Sequence, residues 1–256
     1  MIYDEVARFY KGFKGKKCVI GYSFEGREIH AFHVGKVYKK QFIAAYAVHG
    51  REWITAKLAL CHIKRKVYCG GWIIPLVNPD GAVISQTKDK MWKANARGVD
   101  INCNFDADWG TGALNTRTRG SENCIGAHPA SESETAALVR FTERIKPFTT
   151  LSFHTKGGEI YWEYGGFGDI KGAEIIARTT GYTVKQITGS AGGYKDWCIQ
   201  KLGIPAYTIE CGDDGLSHPI EKLSDVAECK NILRDFTKYY EKQIYEGGAE
   251  MRAKGV

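Results

Sequence analysis

Long apolar runs are missing from this chain. The longest, Phe42–Val48 and Gly71–Val77, hold about seven residues each, far short of the ~20 that cross a bilayer. No membrane span is therefore expected. The opening residues, MIYDEVARFYKGFKGKK, contain no apolar segment followed by a small-residue cleavage site. As written, the protein is expected in the cytoplasm; a trimmed start would make the cell wall or the exterior equally plausible. Prolines number only 6, and neither a repeat nor a Pro/Gly/Ser-rich linker breaks the sequence, which predicts one domain over residues 1–256. None of the 8 cysteines falls in a C-x-x-C spacing, which argues against a zinc ribbon or a thioredoxin-like site. Without an export signal, and with contexts as apolar as CVIGY, they read as reduced thiols. The formal charge is +7, with short basic runs such as Lys14 to Lys17 and Lys64 to Lys66. These runs lack the interleaved aromatics of a nucleic-acid motif. A solvated basic face with some pull on anionic substrates is expected, and no nucleic-acid partner.

What is present is ordinary globular composition, 43% hydrophobic and 25% charged. A chain of this length buries roughly three quarters of its unfolded surface. Strand-like segments fall at Cys18–Tyr22, Ile29–Val34, Phe42–Val48, Trp72–Val77, Thr149–Phe153, Ile160–Glu163, Thr183–Gln186 and Ile204–Ile209. Helices are expected from about Glu52 to Lys66, Ser131 to Ile145, Asp169 to Thr180, Gly193 to Leu202 and Ile220 to Tyr245. Asn78-Pro79-Asp80-Gly81 reads as a turn, and 85–130 as a loop-rich stretch. Strands interleaved with helices predict an α/β fold, a parallel or mixed sheet covered on both faces.

The chemistry lies where the His and Glu residues fall. The apolar run FIAAYAV is followed at once by His49-Gly50-Arg51-Glu52, so a His and a Glu three apart stand just past a buried strand. His154 repeats the arrangement after Leu151-Ser152-Phe153, and Glu210 closes YTIE. Open α/β sheets place ligands at the carboxyl ends of their strands. Apolar strands seldom end so often in ionisable groups without a shared partner. Two His and one carboxylate are a recurrent catalytic zinc set, and the remaining Glu can move the proton of a bound water. The other histidines show no such placement.

These residues lie in stretches that resemble the zinc carboxypeptidase family of metallopeptidases: IGYSFEGREIHAFHVG, AVHGREW, LVNPDG, GVDINCNF, SFHTKGGEIYW and DWCIQKLGIPAYTIE. The resemblance implies a mixed, twisted sheet of about eight strands and one Zn²⁺ held by His49, Glu52 and His154. It makes Glu210 the general base. It also implies departures. Asn102 keeps its place in the family's carboxylate-binding pair, but the arginine that follows is Cys103 here. Lys93 replaces the arginine that polarises the scissile carbonyl, Thr188 falls where the family has a mobile tyrosine, and Lys195 occupies the specificity position. A thiol cannot make the forked, charged contact of an arginine.

The segment WKANARGVDIN looks most like the γ-D-glutamyl-diamino acid peptidases, which cut bacterial wall peptides. That likeness implies hydrolysis of the γ-D-glutamyl–meso-diaminopimelate amide of peptide or muropeptide substrates. Lys195, Lys93 and Arg97 are then candidates to pair with the spare carboxylates. Two other readings stand beside it. One is a metallocarboxypeptidase removing acidic C-terminal residues; the other is a binding protein on the same scaffold without catalysis. The sequence leaves the oligomeric state open.

Overall fold

The structure, a computed structural model, describes residues 1–36 and 40–241. Eight strands form one mixed sheet: β1 (Lys17–Tyr22), β2 (Glu28–Val34), β3 (Phe42–Tyr46), β4 (Gly71–Ile74), β5 (Thr149–His154), β6 (Glu159–Tyr161), β9 (Thr183–Lys185) and β10 (Ala206–Glu210). Their spatial order is β1-β2-β4-β3-β5-β10-β6-β9. A small ribbon, β7 (Glu163–Tyr164) with β8 (Phe167–Gly168), stands apart. The four central strands β4, β3, β5 and β10 run parallel, while β1–β2, β2–β4 and β10–β6 pair antiparallel. The helices are α1 (Ile2–Gly12), α2 (Ile54–Ile63), α3 (Pro79–Thr87), α4 (Ser133–Ile145), α5 (Ile170–Thr180) and α6 (Tyr194–Leu202). A further helix, α7, is described over 232–241.

Strand periodicity splits the core in two. Phe42, Ala44 and Tyr46 of β3 pack with residues of α1, α2, α5 and α7 on one face. Ile43 and Ala45 pack with α4 and α6 on the other. All five residues of β3 are buried, as its unbroken apolar run predicts. The chain leaves β3 through α2 to reach β4 on one side, and β5 lies on the other side. That reversal opens a crevice at the carboxyl ends of β3 and β5. His49 and His154 stand there.

Three expectations need correction. Helix α1 has no counterpart in the sequence reading, although Ile2, Val6, Phe9, Tyr10 and Phe13 share a helical face. Ile2 and Val6 are buried, and Phe9, Tyr10 and Phe13 ring Phe32 at centroid distances of 5.4, 5.7 and 5.3 Å. Asn78-Pro79-Asp80-Gly81 opens a helix instead of making a turn. Asn78 is its N-cap, its side chain accepting from the Gly81 amide at 2.8 Å, and Pro79 takes the first helical position. The long C-terminal helix is interrupted. Leu223–Asn231 is 3-10 in character with a kink at Val226, its two buried residues Val226 and Cys229 three apart, the period that winding puts on one side. The expected helix beyond 241 lies outside the described residues. Among those residues, no helix is long and apolar enough to cross a membrane.

Candidate metal centre and substrate cleft

The turn after β3 is held by its backbone. The Asn78 side-chain Nδ2 donates to the carbonyls of Val48 and Ala94, both at 3.1 Å, and Ala47 NH reaches Thr55 Oγ1 at 2.8 Å. Ala47 itself sits at φ 48, a strained value for a residue with a Cβ. Gly50 NH bonds Lys93 O at 2.8 Å, and a Cβ on Gly50 would lie 2.5 Å from the Gly81 carbonyl. Only glycine lets α3 approach this closely. The following 3-10 turn, Gly50–Glu52, swings Glu52 back toward His49.

Strands β5 and β10 bring the other two groups. His154 and Glu210 are register partners at the ends of these adjacent parallel strands. The three expected ligands converge, with donor atoms all within 4.8 Å of one another. His49 Nδ1 lies 2.8 Å from Glu52 Oε1, and His154 Nδ1 lies 3.0 Å from Glu52 Oε2. The two Nδ1 atoms are 3.2 Å apart. All three side chains are buried.

The outer nitrogens of both rings are engaged elsewhere. His49 Nε2 faces Asp100 Oδ1 at 3.1 Å, and His154 Nε2 faces Ser152 Oγ at 2.9 Å. Asp100 can only accept, so His49 donates there and its Nδ1 lone pair is left for the centre. Two imidazole nitrogens and a carboxylate aimed at one point repel unless positive charge sits among them. The surroundings are built to hold that charge. Burial alone would lower the His49 pKa, but the Glu52 and Asp100 carboxylates raise it to about 9. The donor set therefore fits one zinc ion, held by His49, Glu52 and His154.

Asp100 was not among the expected site residues. It is fully buried and also takes Lys93 Nζ at 2.8 Å. Burial would raise its pKa, but Lys93 and His49 hold it well below the usual range. Lys93 also donates to Asn123 Oδ1 at 3.4 Å and stays charged, the Asp100 pairing outweighing burial. Glu210 is pushed up to about 8 by burial and then by the nearby Glu52 carboxylate.

Glu210 opens onto a recess that Asn102, Tyr161, Lys195, Asp196 and Thr208 also line. Asn102 Oδ1 accepts from the Tyr194 amide at 3.1 Å. Lys195 is buried, its ammonium bonded to Asp196 Oδ1 at 2.6 Å and the Glu163 carbonyl at 2.7 Å. Asp196 is itself occupied, capping α6 through the Gly193 amide at 3.1 Å. Arg97 is not brought to the recess: its Nε lies 3.7 Å from Glu132, and its guanidinium sits 5.4 Å from the Phe24 ring. Cys103 and Thr188 line a neighbouring groove with Asn123 and Leu114. Tyr161 and Asn123 were also missed; lone polar residues in a short strand and a long loop carry no spacing signal.

Residues 70–173 match the family described as zinc carboxypeptidase. The γ-D-glutamyl-L-diamino acid endopeptidase 1 of Lysinibacillus sphaericus is 32% identical over 181 residues, covering 60% of this chain. The chain spans 45% of that relative's length. Among solved structures, thrombin-activatable fibrinolysis inhibitor superposes with a TM-score of 0.78 at 22% identity, covering 96% of this chain and 75% of the other. Murein-tripeptide amidase MpaA of Escherichia coli O157 superposes at 0.67 with 24% identity, covering 87% of this chain and 93% of the other. These last two likenesses establish the fold.

Proposed function

From the match of residues 70–173 to the family described as zinc carboxypeptidase, and from the fold, we propose that this chain is a zinc-dependent peptidase of that family. Its substrate is the γ-D-glutamyl–meso-diaminopimelate amide of peptidoglycan stem peptides. The observation that carries the catalytic part is the convergence of His49, Glu52 and His154 beside Glu210. Bound there, zinc supplies a Lewis acid that makes water nucleophilic near neutral pH and polarises a carbonyl. In its carboxylate form, which a cation held at the centre would favour, Glu210 takes the proton of the attacking water and returns it to the leaving amine nitrogen as the C–N bond breaks. Lys93, tethered by Asp100 and Asn123, brings fixed positive charge to the side where the carbonyl oxygen becomes anionic.

Support for the substrate comes from two directions. The relative from Lysinibacillus sphaericus is named for a γ-D-glutamyl-diamino acid endopeptidase. The far end of a meso-diaminopimelate side chain carries both an ammonium and a carboxylate. In the recess beside Glu210, Lys195 is already paired with Asp196 and bonded to the Glu163 carbonyl, which leaves the third proton of its ammonium for such a carboxylate. A second reading, removal of an acidic C-terminal residue, draws on Lys195 alone.

Glu210→Gln tests the assignment. It removes the proton acceptor and leaves the metal donors in place. Turnover of L-Ala-γ-D-Glu-meso-diaminopimelate is expected to fall by at least about 10²-fold, with one zinc per chain retained by elemental analysis. A variant that keeps wild-type turnover would remove Glu210 from the mechanism.

A further inference from the structure

The crevice occupies one edge of the sheet, and the opposite edge takes no part in it. Strands β3, β4, β5 and β10 run parallel and all begin at that second edge. Strand β2 ends there and β1 begins there, because each pairs antiparallel with its neighbour. Helix α2 starts two residues past Glu52 and carries the chain across in 10 residues, about 15 Å.

The far edge gathers the positive charge. Residues 6–79 hold 14 Lys and Arg against 3 Asp and Glu, an excess greater than the +7 of the whole chain. Of the three acids, Glu52 is at the metal centre, and Glu25 and Glu28 sit where β1 passes into β2, at the crevice edge. Lys14, Lys36, Lys64, Arg65, Lys66 and Lys146 are exposed on the loops of the far edge. Among the described residues, none of the six pairs with a carboxylate. They belong to one face. Lys64 Nζ lies 5.4 Å from the Phe9 ring of α1, the Lys36 carbonyl packs against Gly70, and Phe148 NH bonds Gln41 O at 2.9 Å.

Apolar surface adjoins these cations. Pro147, Leu202 and Ile204 wall a groove of about 640 Å³, whose lining Thr142, Glu143, Lys146 and Lys201 complete. Gly203, between two of the apolar walls, lines a second recess with Phe167, which is 73% exposed. An unpaired cationic face repels itself, and a phenyl ring beside it keeps apolar area in water. Anionic headgroups above acyl chains relieve both. A free polyanion such as a nucleic acid would use only the charge.

We propose that this edge docks on a phospholipid bilayer carrying anionic headgroups, with Phe167 and the groove meeting the acyl boundary. The crevice, at the other edge, then faces away from the membrane. The inference is independent of which bond the peptidase cuts.

Sedimentation of the zinc-loaded protein with lipid vesicles tests it. In about 0.1 M salt the protein is expected to pellet with phosphatidylcholine vesicles containing about one third phosphatidylglycerol. It should stay in the supernatant with phosphatidylcholine alone, or in about 1 M salt, where screening shortens to about 3 Å. The triple variant K64E/R65E/K66E is expected to lower vesicle partitioning by about 100-fold or more, at roughly fivefold per cation, with an unchanged circular dichroism spectrum. If that variant does not fold, K14E/K36E, on other elements, should lower partitioning by about 25-fold. Phe167→Ser should lower it by about tenfold while leaving binding to inorganic polyphosphate as in wild type. No pelleting with anionic vesicles, equal pelleting with neutral ones, or charge reversal without effect each overturns the proposal. So does a Phe167→Ser variant that loses nothing, since the partner would then be a free polyanion held by charge alone.

Discussion

At the scale of single residues, the three proposed ligands stood out because His49 and His154 come at the ends of buried strands and Glu52 lies three residues past the first, where ionisable groups need a partner. Their supports were not. Asp100 holds both His49 and Lys93, yet in the sequence it is one acid within a loop-rich stretch. Arg97 shows the opposite failure, an available cation whose tertiary partners are Glu132 and Phe24. His62 was assigned no role, and its place is structural. It is buried between the Tyr46 hydroxyl at 2.6 Å and the Cys229 carbonyl at 3.0 Å. Burial lowers its pKa to about 4, so the folded protein resists a proton that the unfolded chain accepts near 6.5. The unfolded state therefore gains protons first as pH falls, and stability is lost between about pH 6.5 and 4, by roughly 3 kcal/mol from this group. Denaturant midpoints of His62→Gln should fall less steeply across that window than those of wild type. Equal slopes would assign the acid sensitivity to other groups.

Among elements, the strands were easier to read than the helices. Continuous burial in β3 leaves a period-free apolar run, and the ionisable residue soon after it is conspicuous. Helices failed where local signals serve two purposes. The Asn-Pro pair that begins α3 is also a turn signal, and only the tertiary bonds of Asn78 to Val48 and Ala94 separate the two. For α1 the spacing was visible, but the partner that makes it a helix, Phe32, is a strand residue. The contact of α3 with the His49 turn makes its own prediction. Gly50→Ala sets a methyl against the Gly81 carbonyl, an overpacking cost of about 1–3 kcal/mol. The turn must shift, carrying His49 and Glu52 with it. Thermal denaturation should show the loss, and zinc titration should show affinity reduced about 10-fold or more. Unchanged zinc affinity would mean that the turn moves without disturbing its ligands.

For the molecule as a whole, parallel strands fix where chemistry can occur. Adjacent parallel strands end at the same edge, so β3, β5 and β10 deliver His49, His154 and Glu210 to one crevice although more than 150 residues separate the first from the last. That much follows from alternating strands and helices. The course of the cleft does not, because it depends on how loops 103–115 and 187–193 bond across each other. The central claim is that this crevice binds zinc to hydrolyse a γ-D-glutamyl amide. Its most direct test is mass-spectrometric detection of diaminopimelate released from L-Ala-γ-D-Glu-meso-diaminopimelate, before chelation, after chelation and after zinc is restored. The account predicts release, loss of release and recovery, in that order. Release that persists after the metal is stripped would contradict it.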